Sequence, residues 1–233
     1  MGEARFRAFG VGCAKTGTNS LARMFARDYR SAHEPAKHEL LALILGRPQE
    51  DAQFGASVRN LLDPLDLEMN ASQLNGYIVA TLVTLYPEAK FVLTLREPAS
   101  WVRSFANHQL TRGGLAHGSL WARFRNLRFL GEDRPEGNAL YTLDQYLCFW
   151  LSHNLNVLGV VPRESLLVVR TEHLNAQISR MAEFLAIDEA TIAPARANEG
   201  TYPAENAPFD EQELATAAAK YAARFTQASG IGF

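Results

Sequence analysis

Only two cysteines occur in the 233 residues, Cys13 and Cys148, which is too few for a disulfide framework or a cysteine-built metal cluster. A reducing, cytoplasmic setting is the expectation. No apolar run approaches the roughly 20 residues a membrane span needs, and the chain enters its first apolar strand within a few residues of Met1, so neither a transmembrane segment nor a secretory leader is expected. Met1-Gly2 lacks the Ser or Thr at position 6 that myristoylation requires. Excess charge of one sign is missing too: 23 Lys and Arg stand against 25 Asp and Glu, a formal net charge of -2. There is no global basic field of the kind nucleic-acid binders carry, and no repeat, so nucleic acid is not an expected partner. Any anion site must be local. What remains, 47% hydrophobic and 21% charged, describes one globular domain over 1–233, large enough for a central sheet.

The stretch that organises the chain is Phe6 to Phe25, FRAFGVGCAKTGTNSLARMF, an apolar strand, a Gly-rich turn and an amphipathic helix opening at Thr18 or Asn19. Gly10, Gly12 and Gly17 permit tight or positive-φ backbone, and the first amides of the helix point outward, unpaired and partly positive. A phosphate fits such a turn. Lys15 adds a full positive charge, and the hydroxyls of Thr16, Thr18 and Ser20 add neutral donors.

Downstream, strand and helix patterns alternate. A short second strand over Tyr29 to Ala32 ends in His33-Glu34-Pro35, where Pro35 excludes Glu34 from the right-handed α region. Helices are expected over 36–45 and 50–62, a third strand over 65–69, a helix over 73–86, and a buried strand, KFVLTL, over 90–95. Pro98 is placed to open a helix reaching about Leu110. Residues 141–161 form a long apolar-faced helix carrying His153, which has no second ligand at metal spacing. A fifth strand at 165–169, a helix at 178–187 and an Ala-rich closing helix over 210–228 complete the pattern. This alternation predicts an α/β fold: a P-loop-like, doubly wound parallel sheet flanked by helices, with its ligand at the carboxyl ends of the strands. The segments 36–62 and 112–140 are candidate acceptor lids. In the second, WARFRNLRF interleaves arginine and aromatic residues, which suits either an acceptor surface or an insertion whose Trp121, Phe124 and Leu127 pack while its arginines stay in water.

The order of residues in the first loop is informative. A nucleoside triphosphatase P-loop places Lys after the last Gly and follows it with a hydroxyl for magnesium. Here Ala14-Lys15-Thr16-Gly17-Thr18-Asn19 puts Lys15 ahead of Gly17, and this resembles the 5'-phosphosulfate loop of sulfotransferases, which use the donor PAPS (3'-phosphoadenosine 5'-phosphosulfate). Ala14 stands where that family has proline, and Asn19 where it has a second hydroxyl. Arg96 at a strand end and Ser104 eight residues on resemble the family's grip on the 3'-phosphate, a planar guanidinium fork plus a hydroxyl. Leu166 to Leu174 resembles a further family stretch, with Thr171 for its tyrosine and His173 for its aspartate. Of the basic loop over the 3'-phosphate, Arg196 alone carries over.

The resemblance implies a sulfotransferase that takes PAPS, releases PAP, uses no metal, and sulfates a hydroxyl or amine of a small-molecule, lipid or saccharide acceptor. It assigns Lys15, Thr16, Gly17, Thr18, Asn19, Ser20, Arg96, Ser104 and Arg196 to the donor and Lys15 to catalysis. The base is sought at the end of the second strand. Carbohydrate-directed relatives use a glutamate there, whereas the cytosolic small-molecule group uses a histidine after a later strand, and Met69 to Ser72 offers none. Of the candidates Glu34, His33 and, further into the next helix, His38, Glu34 is therefore the expected base, with His33 as its rival. Two other functions stay open: a P-loop kinase or NTPase, and a nucleotide-binding relative without turnover.

Overall fold

The computed structural model describes residues 5–47, 51–111, 119–129, 140–195 and 209–233. In chain order the elements are β1 (Ala8–Gly10), α1 (Thr18–Phe25), β2 (Ser31–His33), α2 (Lys37–Leu45), α3 (Asp51–Leu62), β3 (Met69–Ala71), α4 (Val79–Leu85), β4 (Lys90–Leu95), α5 (Pro98–Thr111), α6 (Leu120–Phe129), α7 (Leu143–Val160), β5 (Leu166–Arg170), α8 (Ile178–Leu185) and α9 (Glu211–Ser229). They gather into two compact units, one within Met1–Leu95 and Asn156–Ala197, the other within Arg96–Leu155 and Asn198–Phe233. Among the described residues no helix is long and apolar enough to cross a membrane.

The first unit holds a five-stranded, wholly parallel sheet in the order β2-β3-β1-β4-β5. It is doubly wound, because the chain leaves β1 for one side, returns through β3, and crosses to β4 and β5 on the other. The switch point is therefore at β1, whose carboxyl end feeds the Gly-rich loop. Both faces are apolar, as parallel sheets require. Ala8, Met69, Ala71, Val92, Leu167 and Val169 share one core cluster with Leu21, Met24 and Phe25 of α1 and Met181 and Leu185 of α8. Alternate residues turn the other way. Phe9 stacks on Phe91 at 5.7 Å and leans on Tyr86 at 5.5 Å. Phe25 is fully buried at the centre of the α1 contact, and its truncation to Ala is expected to cost about 3–5 kcal/mol.

Three elements differ from the sequence pattern. Tyr29 packs against Phe6 and Phe25, which delays β2 to Ser31. Pro64 initiates a single 3-10 turn over Asp63–Leu65 that ends on left-handed Asp66, so β3 begins at Met69 rather than near Leu65. After β3 the Ser72 hydroxyl accepts the Leu74 N–H at 3.1 Å, and the expected helix opens as a 3-10 turn, Gln73–Tyr77, before α4.

In the second unit Pro98 does open α5, and the Glu97 carboxylate caps it by accepting the N–H groups of Ala99 and Ser100 at 2.9 and 2.6 Å. Trp101, Phe105, Tyr146 and Phe149 form its aromatic core. The Asp210 side chain caps α9, and Tyr221 on α9 donates to Asp144 at 2.5 Å.

Candidate functional site

The loop between β1 and α1 is held from three sides. The Thr16 hydroxyl donates to the Cys13 carbonyl at 2.7 Å and meets the Thr94 hydroxyl of β4 at 2.8 Å, and the Thr16 carbonyl accepts from Thr171, just past β5, at 2.6 Å. Thr16 was expected to offer its hydroxyl to an anion. It is fully buried, and its hydroxyl also braces the loop by satisfying the turn's own carbonyl. Gly12 is needed for room: a Cβ there would lie 2.0 Å from the Thr94 hydroxyl and 2.5 Å from that of Thr16. Gly17 is needed for its left-handed backbone (φ 93) at the start of α1. The second left-handed residue of the loop is not a glycine but Lys15 (φ 68). A non-glycine residue pays about 1 kcal/mol or more for that conformation, and such strain concentrates at functional sites.

The ladder of α1 begins with the Leu21 N–H on the Gly17 carbonyl at 2.9 Å, so the amides of Thr18, Asn19 and Ser20 belong to the positive end of the helix. Lys15 and Asn19 are half-buried there, while Thr18 and Ser20 are buried. The Thr18 hydroxyl lies 3.2 Å from His33 Nε2, which joins this helix end to the end of β2.

His33 and Glu34 part company at that point. His33 turns to Thr18, and Glu34 turns to Gln73, whose amide donates to Glu34 Oε1 at 2.6 Å. The Glu34 N–H continues the β2–β3 ladder by donating to the Ala71 carbonyl at 3.0 Å. Glu34 (φ 50) and Ala36 (φ 49) are both left-handed and flank Pro35. The ring of Pro35 keeps Glu34 out of the right-handed region, as the sequence implied, but the turn resolves on the far side of the map rather than as extended chain. His33 retains an exposed edge, yet desolvation by its surroundings lowers its pKa from the ordinary imidazole range; Lys37 and Arg23 add to the lowering and Glu34 opposes it.

Gln73 escaped the sequence reading, which searched 69–72 for a histidine and set the third strand four residues too early. Its signal was its place immediately past a strand that neighbours both β2 and β1. The turn that carries it is rigid: the Asn75 side chain is buried and donates to the carbonyls of Gly10 and Asn70 at 3.1 and 2.9 Å. Thr171 is the other residue missed, seen only as a departure from a family tyrosine.

Arg96 and Ser104 belong to the second unit, where both are half-buried. The Arg96 Nε donates to Ser100 at 2.9 Å, and its carbonyl accepts from the Trp150 indole at 3.0 Å. Arg196 lies outside the described residues. In α6, Phe124 is buried as expected, but Leu127 is 44% exposed and Arg128 is buried. The guanidinium of Arg128 sits 4.8–5.3 Å from the ring centres of Phe105, Phe124 and Phe149, an aromatic cage that offsets its lost hydration. Among the described residues no His, Cys, Asp and Glu cluster suits a metal ion.

A sulfotransferase domain model matches residues 7–206. Among solved structures, a sulfotransferase from Alicyclobacillus acidocaldarius is similar at a TM-score of 0.59 and 18% identity, over 99% of this chain and 98% of that one. The sulfotransferase domain from the curacin biosynthetic pathway is similar at a TM-score of 0.52 and 14% identity, over 95% and 97%. No curated protein sequence matches.

Proposed function

This chain belongs to the sulfotransferase domain family, and on that premise we propose that it moves a sulfuryl group from PAPS to a hydroxyl or amine of a small-molecule, lipid or saccharide acceptor. One observation carries the reading. The positive end of α1, with Lys15 beside it, adjoins the candidate base turn through the 3.2 Å contact of Thr18 with His33.

The reaction is an in-line displacement. The acceptor oxygen or nitrogen bonds to sulfur, the bond from sulfur to the 5'-phosphate oxygen breaks, and that oxygen leaves with PAP. By analogy with phosphoryl transfer the transition state is loose, and negative charge grows on the leaving oxygen. Lys15 and the amides of Thr18, Asn19 and Ser20 meet that charge. Glu34 takes the acceptor's proton, and His33 is the rival for this role. The scheme draws its cation from Lys15 and needs no metal ion. Thr16 supports this over a kinase or NTPase, because the hydroxyl that follows Lys15 is turned to Cys13 and Thr94 rather than toward a metal-bridged phosphate.

The family resemblance gives Arg96, Ser104 and Arg196 the 3'-phosphate. Arg96→Ala is then expected to weaken PAP binding about tenfold, while a nucleotide lacking the 3'-phosphate is unaffected. Helices α2 and α3, within 36–62, are proposed as an acceptor lid; of the other candidate lid, 112–140, residues 112–118 and 130–139 lie outside the described residues. With Cys13 and Cys148 both free thiols, a cytoplasmic setting fits the chain.

The test is label transfer from radiolabelled PAPS over a panel of hydroxyl and amine acceptors, with Glu34→Gln and His33→Ala compared and PAP binding as control. Transfer that disappears in Glu34→Gln supports the reading. PAP binding without transfer to any acceptor points to a non-catalytic relative, and transfer lost only in His33→Ala moves the base to the histidine.

A further inference from the structure

We propose that Gln73 is the positioning residue of the acceptor base, a role that rests on the reading of Glu34 above. A carboxylate on a strand-end turn has two free torsions beyond Cβ and two equivalent oxygens, so without a partner it samples many orientations relative to an acceptor. Misplacement of a reacting group by about 1 Å can cost a hundredfold in rate. The Gln73 amide donates to Glu34 Oε1 at 2.6 Å, which fixes the plane of the carboxylate and directs proton uptake to Oε2.

Both ends of this contact are themselves constrained. Glu34 is fixed through its N–H on Ala71, at 3.0 Å, and through the left-handed turn around Pro35. Gln73 opens a 3-10 turn that Ser72 caps at Leu74 and that Asn75 pins to Gly10 and Asn70. The turn is thus anchored to β1 and β3, and β1 is the strand that carries the loop of Lys15. One strand end therefore sets both the anion-binding loop and the partner of the base.

The neutrality of the partner matters. An arginine or lysine at this distance would hold the carboxylate as well, but would compete with the acceptor for its negative charge. An amide orients the carboxylate without setting a positive charge beside it. As the acceptor forms its bond to sulfur, its proton passes to Glu34 Oε2 and the sulfur–oxygen bond to PAP breaks. Gln73 keeps its own proton throughout and touches no reacting atom.

The experiment is a cycle of Gln73→Met, Glu34→Gln and the double variant, measuring kcat, the KM for PAPS, PAP affinity and the melting temperature. Gln73→Met keeps the length of the side chain and removes the donor. The expected result is a kcat about tenfold lower, KM and PAP affinity within about twofold of the parent, an unchanged melting temperature, and no further loss when Gln73→Met is added to Glu34→Gln. Gln73→Glu keeps size and polarity should Gln73→Met fold poorly; it sets two carboxylates against each other and is expected to lower kcat more than Gln73→Met does. A parental kcat in Gln73→Met or in Gln73→Glu, with Glu34→Gln reduced to a low but measurable rate, overturns the positioning role and leaves the base in place. Equal losses in kcat and PAP affinity, or a full additional loss in the double variant, overturn it as well. Full turnover by Glu34→Gln removes the base reading itself, and this proposal with it.

Discussion

At the amino ends of the strands, Glu68 accepts hydrogen bonds from the Arg5 side chain at 3.0 Å and from the backbone N–H of Arg30 at 2.9 Å, and Asp63 accepts from Arg7 and the Tyr86 hydroxyl, each at 2.9 Å. At the carboxyl ends of the same sheet, Glu34 is held by an amide and His33 by a hydroxyl. Glu68 and Asp63 are paired with arginines, whereas Glu34 and His33 are oriented by neutral groups. The backbone differs as well. Lys15, Glu34 and Ala36 are left-handed at the carboxyl end, and the other left-handed non-glycine residues among those described are Asp66, ahead of β3, and Ala186, at the end of α8. Ion pairing at the amino end contributes stability. At the carboxyl end the contacts of Glu34 and His33 orient side chains on a turn whose backbone is left-handed at Glu34 and Ala36.

The sharpest way to break this contrast is to remove the charge at the carboxyl end. Lys15→Ala is expected to lower kcat about a hundredfold or more, some 3 kcal/mol in the barrier, while PAP affinity changes far less, since the charge it meets grows as the bond breaks. Single-turnover rates beside calorimetric PAP titrations check this, and an unaltered rate rejects the role.

Glu68→Gln acts at the other end and should do the reverse, costing about 2 kcal/mol of stability at neutral pH with kcat unchanged. Burial alone would raise the Glu68 carboxyl, but the hydrogen bonds from Arg5 and from the Arg30 and Arg5 amides bring it down to about 2. A folded value below the unfolded one of about 4.3 means that this stability is present above that pH and is lost as pH falls toward 2. His33, also lowered when folded, gives a separate loss that begins as pH falls below about 6.5. Chemical denaturation from pH 8 to 2 is expected to show both windows in the parent and a smaller lower window in Glu68→Gln, since Glu211 is also lowered when folded by its hydrogen bond from Arg103.

Smaller effects sharpen the picture. Thr171→Val removes the hydroxyl that holds the Thr16 carbonyl and keeps the shape of the side chain; about 1 kcal/mol, or a roughly fivefold loss of PAP affinity, is expected in a binding titration. Lys15→Gly should be about 1 kcal/mol more stable than Lys15→Ala in thermal melts, because glycine relieves the left-handed strain. Equal stability of the two variants would mean that Lys15 stores no strain.

Much of this was legible in the sequence because it rests on local rules. The run KFVLTL marked β4 to the residue, Pro98 marked the start of α5, and Gly17-Thr18 marked α1. Lys15 ahead of Gly17, with Arg96 and Ser104, was sufficient for the family. What was not legible depended on contacts distant in sequence. The contact of the Thr16 hydroxyl with Thr94, 78 residues away, is of this kind. Gln73 is marked in the sequence only by its place just past β3, and its partner Glu34 lies 39 residues earlier. Of the two readings of WARFRNLRF, the one that packed Leu127 left Arg128 in water; the helix turns so that Leu127 is exposed and three phenylalanine rings enclose the Arg128 guanidinium.

The central claim is that the carboxyl end of the sheet binds a sulfate donor's nucleotide through Lys15 and the first turn of α1. Calorimetric titration of the protein with PAP, and separately with ATP and magnesium, tests it most directly. The account predicts one PAP bound per chain without a requirement for magnesium, with ATP and magnesium binding at least about tenfold more weakly. Tight, magnesium-dependent ATP binding with no response to PAP would contradict it.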